Sequence, residues 1–287
     1  MDISRRGFIG SVAGVGALAA WGLRAALRRR HPEAEPMAET GETTEGAKTG
    51  ADWLGSAPEI AEGDIVETRD CDLLIVGAGN GGMAAAAYAA DQGIDFIICE
   101  KGETVGATRH WFAALGTRPF KELGVEVDRQ RLMGEIVRYS QGNCDQRLIR
   151  MWMDESNDMF EFVDGIMTAA DAVVIADEFD MPGGMGGTPY YVSPCEHHYG
   201  DKNGGRDIEE RNVLFEKHIN EAGKEVTFGH ELAKLVREEG GRVTGAIFNT
   251  SNGYVQVNAA KGVLLTTGGY SANPDMLTAL SPVTCSR

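Results

Sequence analysis

The chain has 287 residues, of which 43 are acidic and 27 basic, with 38 glycines and five cysteines. A hydrophobic fraction of 43% with 7% aromatics is that of a globular protein, which excludes global disorder, a collagen-like repeat and a polytopic membrane protein. A net charge of −16 argues against nucleic acid as a partner, because phosphate binding needs clustered Lys and Arg.

The charge is divided along the chain. Residues 1–30 hold Arg5, Arg6, Arg24 and Arg28–Arg30 against Asp2 alone, so the remainder carries the whole acidic excess. Ser4-Arg5-Arg6-Gly7-Phe8-Ile9 leads into an uncharged stretch from Gly7 to Leu23. This resembles a twin-arginine export signal. It implies a folded, cofactor-loaded passenger delivered to the cell envelope or periplasm, touching membrane only through the signal. Residues 31–68 follow, with ten acids, one lysine and Pro32, Pro36 and Pro58. They read as an acidic disordered linker, too poor in apolar side chains to offset the entropy of ordering. The domain proper is expected over 69–287.

Asp72-Leu73-Leu74-Ile75-Val76 is a short apolar run of the kind found in buried parallel strands. It enters Gly77-Ala78-Gly79-Asn80-Gly81-Gly82, then an alanine-rich helix from Met83 to Gln92, with Gly93 placed to stop it. Ile94–Cys99 is a second apolar strand, followed by Glu100 and Lys101. Each position has a physical task. Gly77 permits a sharp strand-to-helix turn, Gly79 lets backbone approach a diphosphate, and Gly82 lets helix and strand pack closely. Asn80 and Gly81 open the helix, whose first N–H groups attract anions. Glu100 can accept hydrogen bonds from a ribose diol. The fold class is therefore α/β and Rossmann-like, binding a dinucleotide; spacing alone does not separate FAD from NAD.

Further along, Asp128–Ser140 and Asp145–Asp164 show helical periodicity, with Asp145 as a cap and Gly165 as the stop. Their aromatic and Met positions read as core. A glycine-rich stretch, Met181–Thr188, precedes Cys195-Glu196-His197-His198-Tyr199, which is expected to be a loop, its histidines either solvated, the favoured reading, or in contact with substrate. Adjacent histidines cannot face one site in a strand or helix, so no metal site is assigned. Asp207–Glu221 is a third helix. Val226–Leu235, Arg242–Asn249 and Tyr254–Asn258 form an antiparallel meander inserted before a last parallel strand, Gly262–Thr266. Thr267, Gly268 and Gly269 then lie at the carboxyl end of that strand, where open α/β sheets hold ligands. The five cysteines lack metal spacing, and Cys71 and Cys99 read as core thiols.

Three blocks carry a resemblance to the fumarate reductase/succinate dehydrogenase flavoprotein family, in its exported, soluble branch. They are Gly77–Glu100, Gly106–Gly116, and Gly241–Ala246 with Gly262–Tyr270. The second block departs from the family pattern at Ala107 and Thr117, where one glycine of each pair is replaced. The resemblance implies FAD as cofactor, with Gly106, Ala107 and Thr108 wrapping it and the third block closing over it. His110 stands before Ala113-Ala114-Leu115-Gly116, at the offset of the histidine that membrane-bound members bond covalently to the flavin. Covalent attachment, a noncovalent flavin neighbour and a plain loop histidine all remain open for it.

The resemblance also implies hydride transfer from flavin N5 to the activated alkene of a small unsaturated carboxylic acid, with electrons from a separate donor. In the family a substrate-capping domain begins soon after the Thr-Gly-Gly block, whereas Arg287 lies 18 residues after Gly269. The cap is therefore expected to be largely absent, and no catalytic residue is assigned. The alternative reading is a non-catalytic FAD-binding half of a split enzyme. A fusion of residues 1–40 to a reporter is expected to be exported, with export lost when Arg5 and Arg6 are both changed to Lys. Cell fractionation checks this.

Overall fold

A computed structural model describes residues 58–177, 196–203, 205 and 208–280. The signal segment, most of the expected linker, the glycine-rich stretch 181–188, Cys195 and Cys285 lie outside the described residues. In chain order the elements are β1 (Ile65–Val76), α1 (Asn80–Asp91), β2 (Phe96–Cys99), β3 (Phe112–Ala113), α2 (Arg118–Glu122), α3 (Arg129–Tyr139) and α4 (Gln146–Ala169). Then come β4 (Val173–Asp177), β5 (Glu196–Gly200), α5 (Arg211–Glu221), β6 (Val226–Thr227), β7 (Glu231–Arg237), β8 (Val243–Thr250), β9 (Gly253–Leu265) and α6 (Pro274–Leu280).

The described residues fall into two compact units. The first, formed by 58–106 and 219–280, holds a six-stranded sheet in the order β6-β2-β1-β9-β8-β7. β6, β2, β1 and β9 are mutually parallel, while β7, β8 and β9 form an antiparallel meander. Leu73, Leu74, Ile75 and Val76 are all buried, as a parallel strand covered on both faces requires. Cys71, Cys99, Phe248, Val255 and Val257 complete that core. Burial raises the Cys71 thiol to about 11 and the Cys99 thiol to about 12, which makes both of them inert packing groups. Helix α1 ends where expected. Gly93 takes φ 63°, its N–H bonds Ala90 O and the Ile94 N–H bonds Ala89 O, which closes the helix with a left-handed residue.

Two expectations for this unit need correction. β1 begins at Ile65, so residues 65–68, expected as linker, belong to a strand, where Ile65 opposes Tyr254 and Thr68 opposes Gln256. Pairing with a long neighbour supplies the order that the local composition does not. The expected meander strand Tyr254–Asn258 and last parallel strand Gly262–Thr266 are one continuous strand, β9. Its Gly253–Asn258 half pairs with β8, and it pairs with β1 from Tyr254 to Leu265. Ala259 and Lys261 carry no turn chemistry, and the inward alternation of Val255, Val257 and Ala259 runs straight on.

The second unit, 107–218, holds the antiparallel sheet β3-β5-β4 with α2, α3 and α4. α3 and α4 begin where expected: the Asp128 and Asp145 side chains accept from the N–H groups of Arg131 and Arg147, each at 2.9 Å. α4 does not stop at Gly165. Its apolar face continues from Phe160 and Val163 to the fully buried Met167, and the left-handed stop is Asp171, φ 63°, with the Ala172 N–H on Met167 O. The third helix starts at Arg211 rather than Asp207.

Phe248 is fully enclosed in the first unit's core. Phe248→Ala is expected to cost about 3–5 kcal/mol, measured as a fall in the urea midpoint at unchanged m-value.

Candidate functional site

The first unit brings the glycine-rich turn, Glu100, Gly106 and the segment after β9 to the carboxyl ends of β1, β2 and β9. Gly77 takes φ 99° and donates its N–H to Cys99 O at 2.7 Å. A Cβ on Gly77 would lie 2.6 Å from Thr266 O, and one on Gly82 would lie 1.8 Å from Gly77 O. The turn is thus sealed by backbone against backbone. Thr266, which sequence reasoning left out of the site, holds it from the other side. Its N–H bonds Val76 O at 2.9 Å, and its hydroxyl shares its proton between the carbonyls of Val76 and Gly77, each at 2.8 Å. Only the pairing of β9 with β1 places it there, so no local signal could have found it.

Gly79 is different. It caps α1, and a Cβ added to it would meet nothing within 4 Å. The protein's own packing explains Gly77 and Gly82 but not Gly79. A bound group passing close to that backbone would explain it. Asn80 and Gly81 are exposed in the first turn of α1, which itself contains no acid, and helix N-termini attract anions. Gly106 donates to Ala78 O at 2.9 Å, and its own missing Cβ would lie 3.1 Å from Gly79 Cα. Glu100 accepts from the Ala78 N–H at 2.7 Å and from the Gly102 N–H at 2.9 Å, one bond on each carboxylate oxygen. Each oxygen keeps capacity for a hydroxyl donor. Lys101 is exposed beside it, and Thr267, Gly268 and Gly269 are exposed directly after β9. Open space at Gly79, a helix N-terminus and a carboxylate at the neighbouring strand end together fit a dinucleotide.

Ala107, Thr108 and His110 belong to the second unit. Ala107 is exposed. The start of α5 ties down the residues after it. The Thr108 N–H donates to Glu210 Oε2 and the Asn212 N–H to Thr108 Oγ1, both at 3.0 Å, and Arg211 donates to Arg109 O at 3.2 Å. A cavity of about 350 Å³ opens here, lined by Thr108, His110, Met167, Tyr199, Glu209, Glu210 and Arg211. Both acids are engaged, Glu210 by Thr108 and Glu209 by Lys217 at 2.5 Å. The Arg211 guanidinium carbon lies 5.0 Å from the centre of the Phe112 ring. Burial pulls its pKa below the ordinary arginine value, with Tyr199 acting in the opposite sense, yet an arginine remains charged. Tyr199 donates to Asp164 at 3.2 Å, and Arg118 holds the same carboxylate at 2.9 Å. Burial first, and that carboxylate second, push the Tyr199 phenol up, so it stays protonated. Sequence reasoning missed Arg211 and Tyr199 because only the fold turns them toward one cavity.

The adjacent histidines are not a solvated loop. They lie in β5, where successive side chains face opposite ways. His197 is fully buried, 2.7 Å from the Thr117 hydroxyl and packed against Phe112, Phe120 and Phe160. His198 stands on the other face, its ring centre 4.9 Å from that of His110, which in turn meets Trp111 edge-on at 4.8 Å.

Comparison with known proteins agrees with this geometry. The family described as FAD binding domain matches residues 72–285. A vinyl phenol reductase of Lactiplantibacillus plantarum is 24% identical over 214 residues, covering 73% of this chain and 40% of the relative. A protein of Shewanella frigidimarina named as a probable fumarate reductase is 25% identical over 228 residues, covering 78% and 36%. The chain thus spans less than half the length of these relatives. Among solved structures, the open conformation of a flavocytochrome c3 fumarate reductase aligns with a TM-score of 0.59 at 22% identity, covering 77% of this chain and 37% of that one. A 3-ketosteroid dehydrogenase of Rhodococcus jostii aligns at 0.61 and 19%, covering 76% and 50%. These two likenesses establish a shared fold.

The contrast between the glycines is directly testable. Gly79→Ala, which adds only the Cβ that meets nothing within 4 Å, is expected to shift the melting temperature of the cofactor-free protein little and to weaken binding of the dinucleotide by about tenfold. Gly82→Ala is expected to cost about 3 kcal/mol or more by overpacking. Calorimetry of both variants checks the pair.

Proposed function

Because the chain belongs to the FAD binding domain family, and FAD is its cofactor, we propose an oxidoreductase that reduces the activated alkene of a small unsaturated carboxylic acid. The reading rests on the space beside Gly79 for the diphosphate and on the cavity carrying Arg211 and His110. The flavin, when bound, supplies the two-electron exchange as a hydride.

The chain's own residues supply binding and charge. The α1 N-terminus and the bare backbone at Gly79 seat the diphosphate. Glu100, held by Ala78 and Gly102, accepts from the ribose hydroxyls. Arg211 offers a fixed cation to the substrate carboxylate, and part of its desolvation has already occurred in the folded protein, so less is lost on binding. The curated relatives named above support a reductase, and one of them is named for a dicarboxylate substrate. No Cys-x-x-Cys-His motif occurs in the 287 residues; a separate electron donor is part of the proposal. Export by the twin-arginine route, read from residues 1–30, would place the reaction in the cell envelope or periplasm.

In the test, FAD-loaded protein reduced anaerobically with dithionite is mixed with acrylate, fumarate or cinnamate. Reoxidation of the flavin by an unsaturated acid, and none by its saturated analogue, is the expected result. Arg211→Gln is expected to raise the acid concentration needed by about tenfold, the equivalent of about 1.4 kcal/mol, with the flavin content unchanged. Reduced flavin that persists with all three acids would overturn the proposal.

A further inference from the structure

Helix α4 is apolar over more of its surface than the second unit uses. It runs for 24 residues, a length of about 36 Å at a rise of about 1.5 Å per residue. Met153, Phe160, Val163 and Met167 belong to its buried face, as expected of a helix packed on one side. A second apolar row winds along another side. Leu148, Met151, Glu155, Met159, Phe162 and Ile166 follow one another at steps of three or four residues, which lines them up along the helix.

That second row faces water. Leu148, Met151 and Met159 are 60%, 56% and 39% exposed, and Phe162 and Ile166 are half-buried. Single apolar side chains on a surface are ordinary, whereas a continuous row rimmed by charge marks an interaction surface. The charges along this helix are sorted by sign. Arg147 and Arg150 come before Met151, while Asp154, Asp158 and Glu161 come after it. Arg147 is held by Asp145 and Asp154 by Arg129. Arg150 and Glu161 are both exposed, one near each end of the row.

We infer that the exposed row of α4 is a dimer contact, laid antiparallel against the same row of a second copy of this chain. The order of charges chooses the occupant. A two-fold axis passing near Glu155 brings the basic end of one helix beside the acidic end of the other. Arg150 of each copy then lies near Glu161 of the other, and Met151 near Met159. A surface that matches itself in this way is what an isologous contact requires. A partner of one sign would suit only half of the row, and a parallel pair of helices would set like charges side by side, which is costly at an interface. The net charge of −16 acts against association. At about 0.15 M salt, however, exposed charges more than about 8 Å apart are largely screened, so the groups beside the row decide. Glu155 is the discordant residue. It stands in the row where the axis sets it near its own counterpart, which holds the affinity down and makes the dimer depend on concentration.

The test needs neither FAD nor substrate, so its failure is distinct from failure of the proposed reaction. The full chain is followed by sedimentation velocity from nanomolar to micromolar concentration at physiological salt. A monomer–dimer equilibrium is the expected result, and a monomer throughout would overturn the inference. Met151→Gln combined with Met159→Gln should weaken the dimer by about tenfold or more, with the melting temperature of the monomer unchanged. Glu155→Leu should tighten it by a similar factor. Arg150→Glu and Glu161→Arg should each weaken it, and the two together should restore it, since each copy then again offers opposite charges. A dimer indifferent to these changes, or a double reversal that restores nothing, would overturn the inference. So would a large fall in melting temperature in the Met151 and Met159 variant, because the row would then already pack within the chain. Finally, benzoylphenylalanine at Met151, irradiated in cells, should crosslink to α4 of another copy. A crosslink to a different protein would give the surface to that protein and overturn the inference.

Discussion

The first unit is organised by a backbone contact that leaves no space for a side chain. Where β1 turns into α1, Gly82 presses on the carbonyl of Gly77 so closely that an added Cβ would sit 1.8 Å from it. Thr266 clamps the same carbonyl from the neighbouring strand. The contact brings the helix start to the strand end. With that geometry set, the N–H groups of α1, the carboxylate of Glu100 and the backbone of Gly106 converge on one place. Any widening of the turn would separate them, since Glu100 reaches the turn through a single bond to the Ala78 N–H.

The adjoining glycines do different physical work, and the structure separates them where spacing cannot. Gly77 and Gly82 are required by the protein's internal packing, while a Cβ on Gly79 would meet no described atom within 4 Å. The polar groups of the second unit divide in the same way. His197 and Thr117 satisfy each other inside an aromatic cluster, and Asp164 is shared by Arg118 and Tyr199; these are structural polar groups, expensive to bury alone and stable when paired. Arg211 sits at a cavity wall instead, oriented by an aromatic ring and a carbonyl.

Much of the first unit was legible in the sequence because its signals are local. The apolar run Leu73–Val76, the glycine spacing, the alanine-rich helix and its stop at Gly93 each depend on a few consecutive residues. Expectations failed where distant residues decide. Ile65–Thr68 are ordered by pairing with Tyr254–Gln256, far along the chain. α4 overruns Gly165 because Met167 still has a core to enter. His197 is buried because β5 registers it against Phe112. The cavity residues Met167, Tyr199 and Arg211 come from three separate elements, and no spacing rule connects them.

β9 shows how one strand can serve two architectures. Its first half is the last strand of a meander, patterned by Val255, Val257 and Ala259 facing the core. Its second half is a parallel strand that delivers Thr266 to the glycine turn. The crossover lies at the irregular register between Cys71 and Leu73, where β1 and β9 step past each other and β8 has already ended. Among the described residues, Thr266 therefore lies at the tip of a segment bonded along one edge only. A strand held on one edge opens more readily than one held on both.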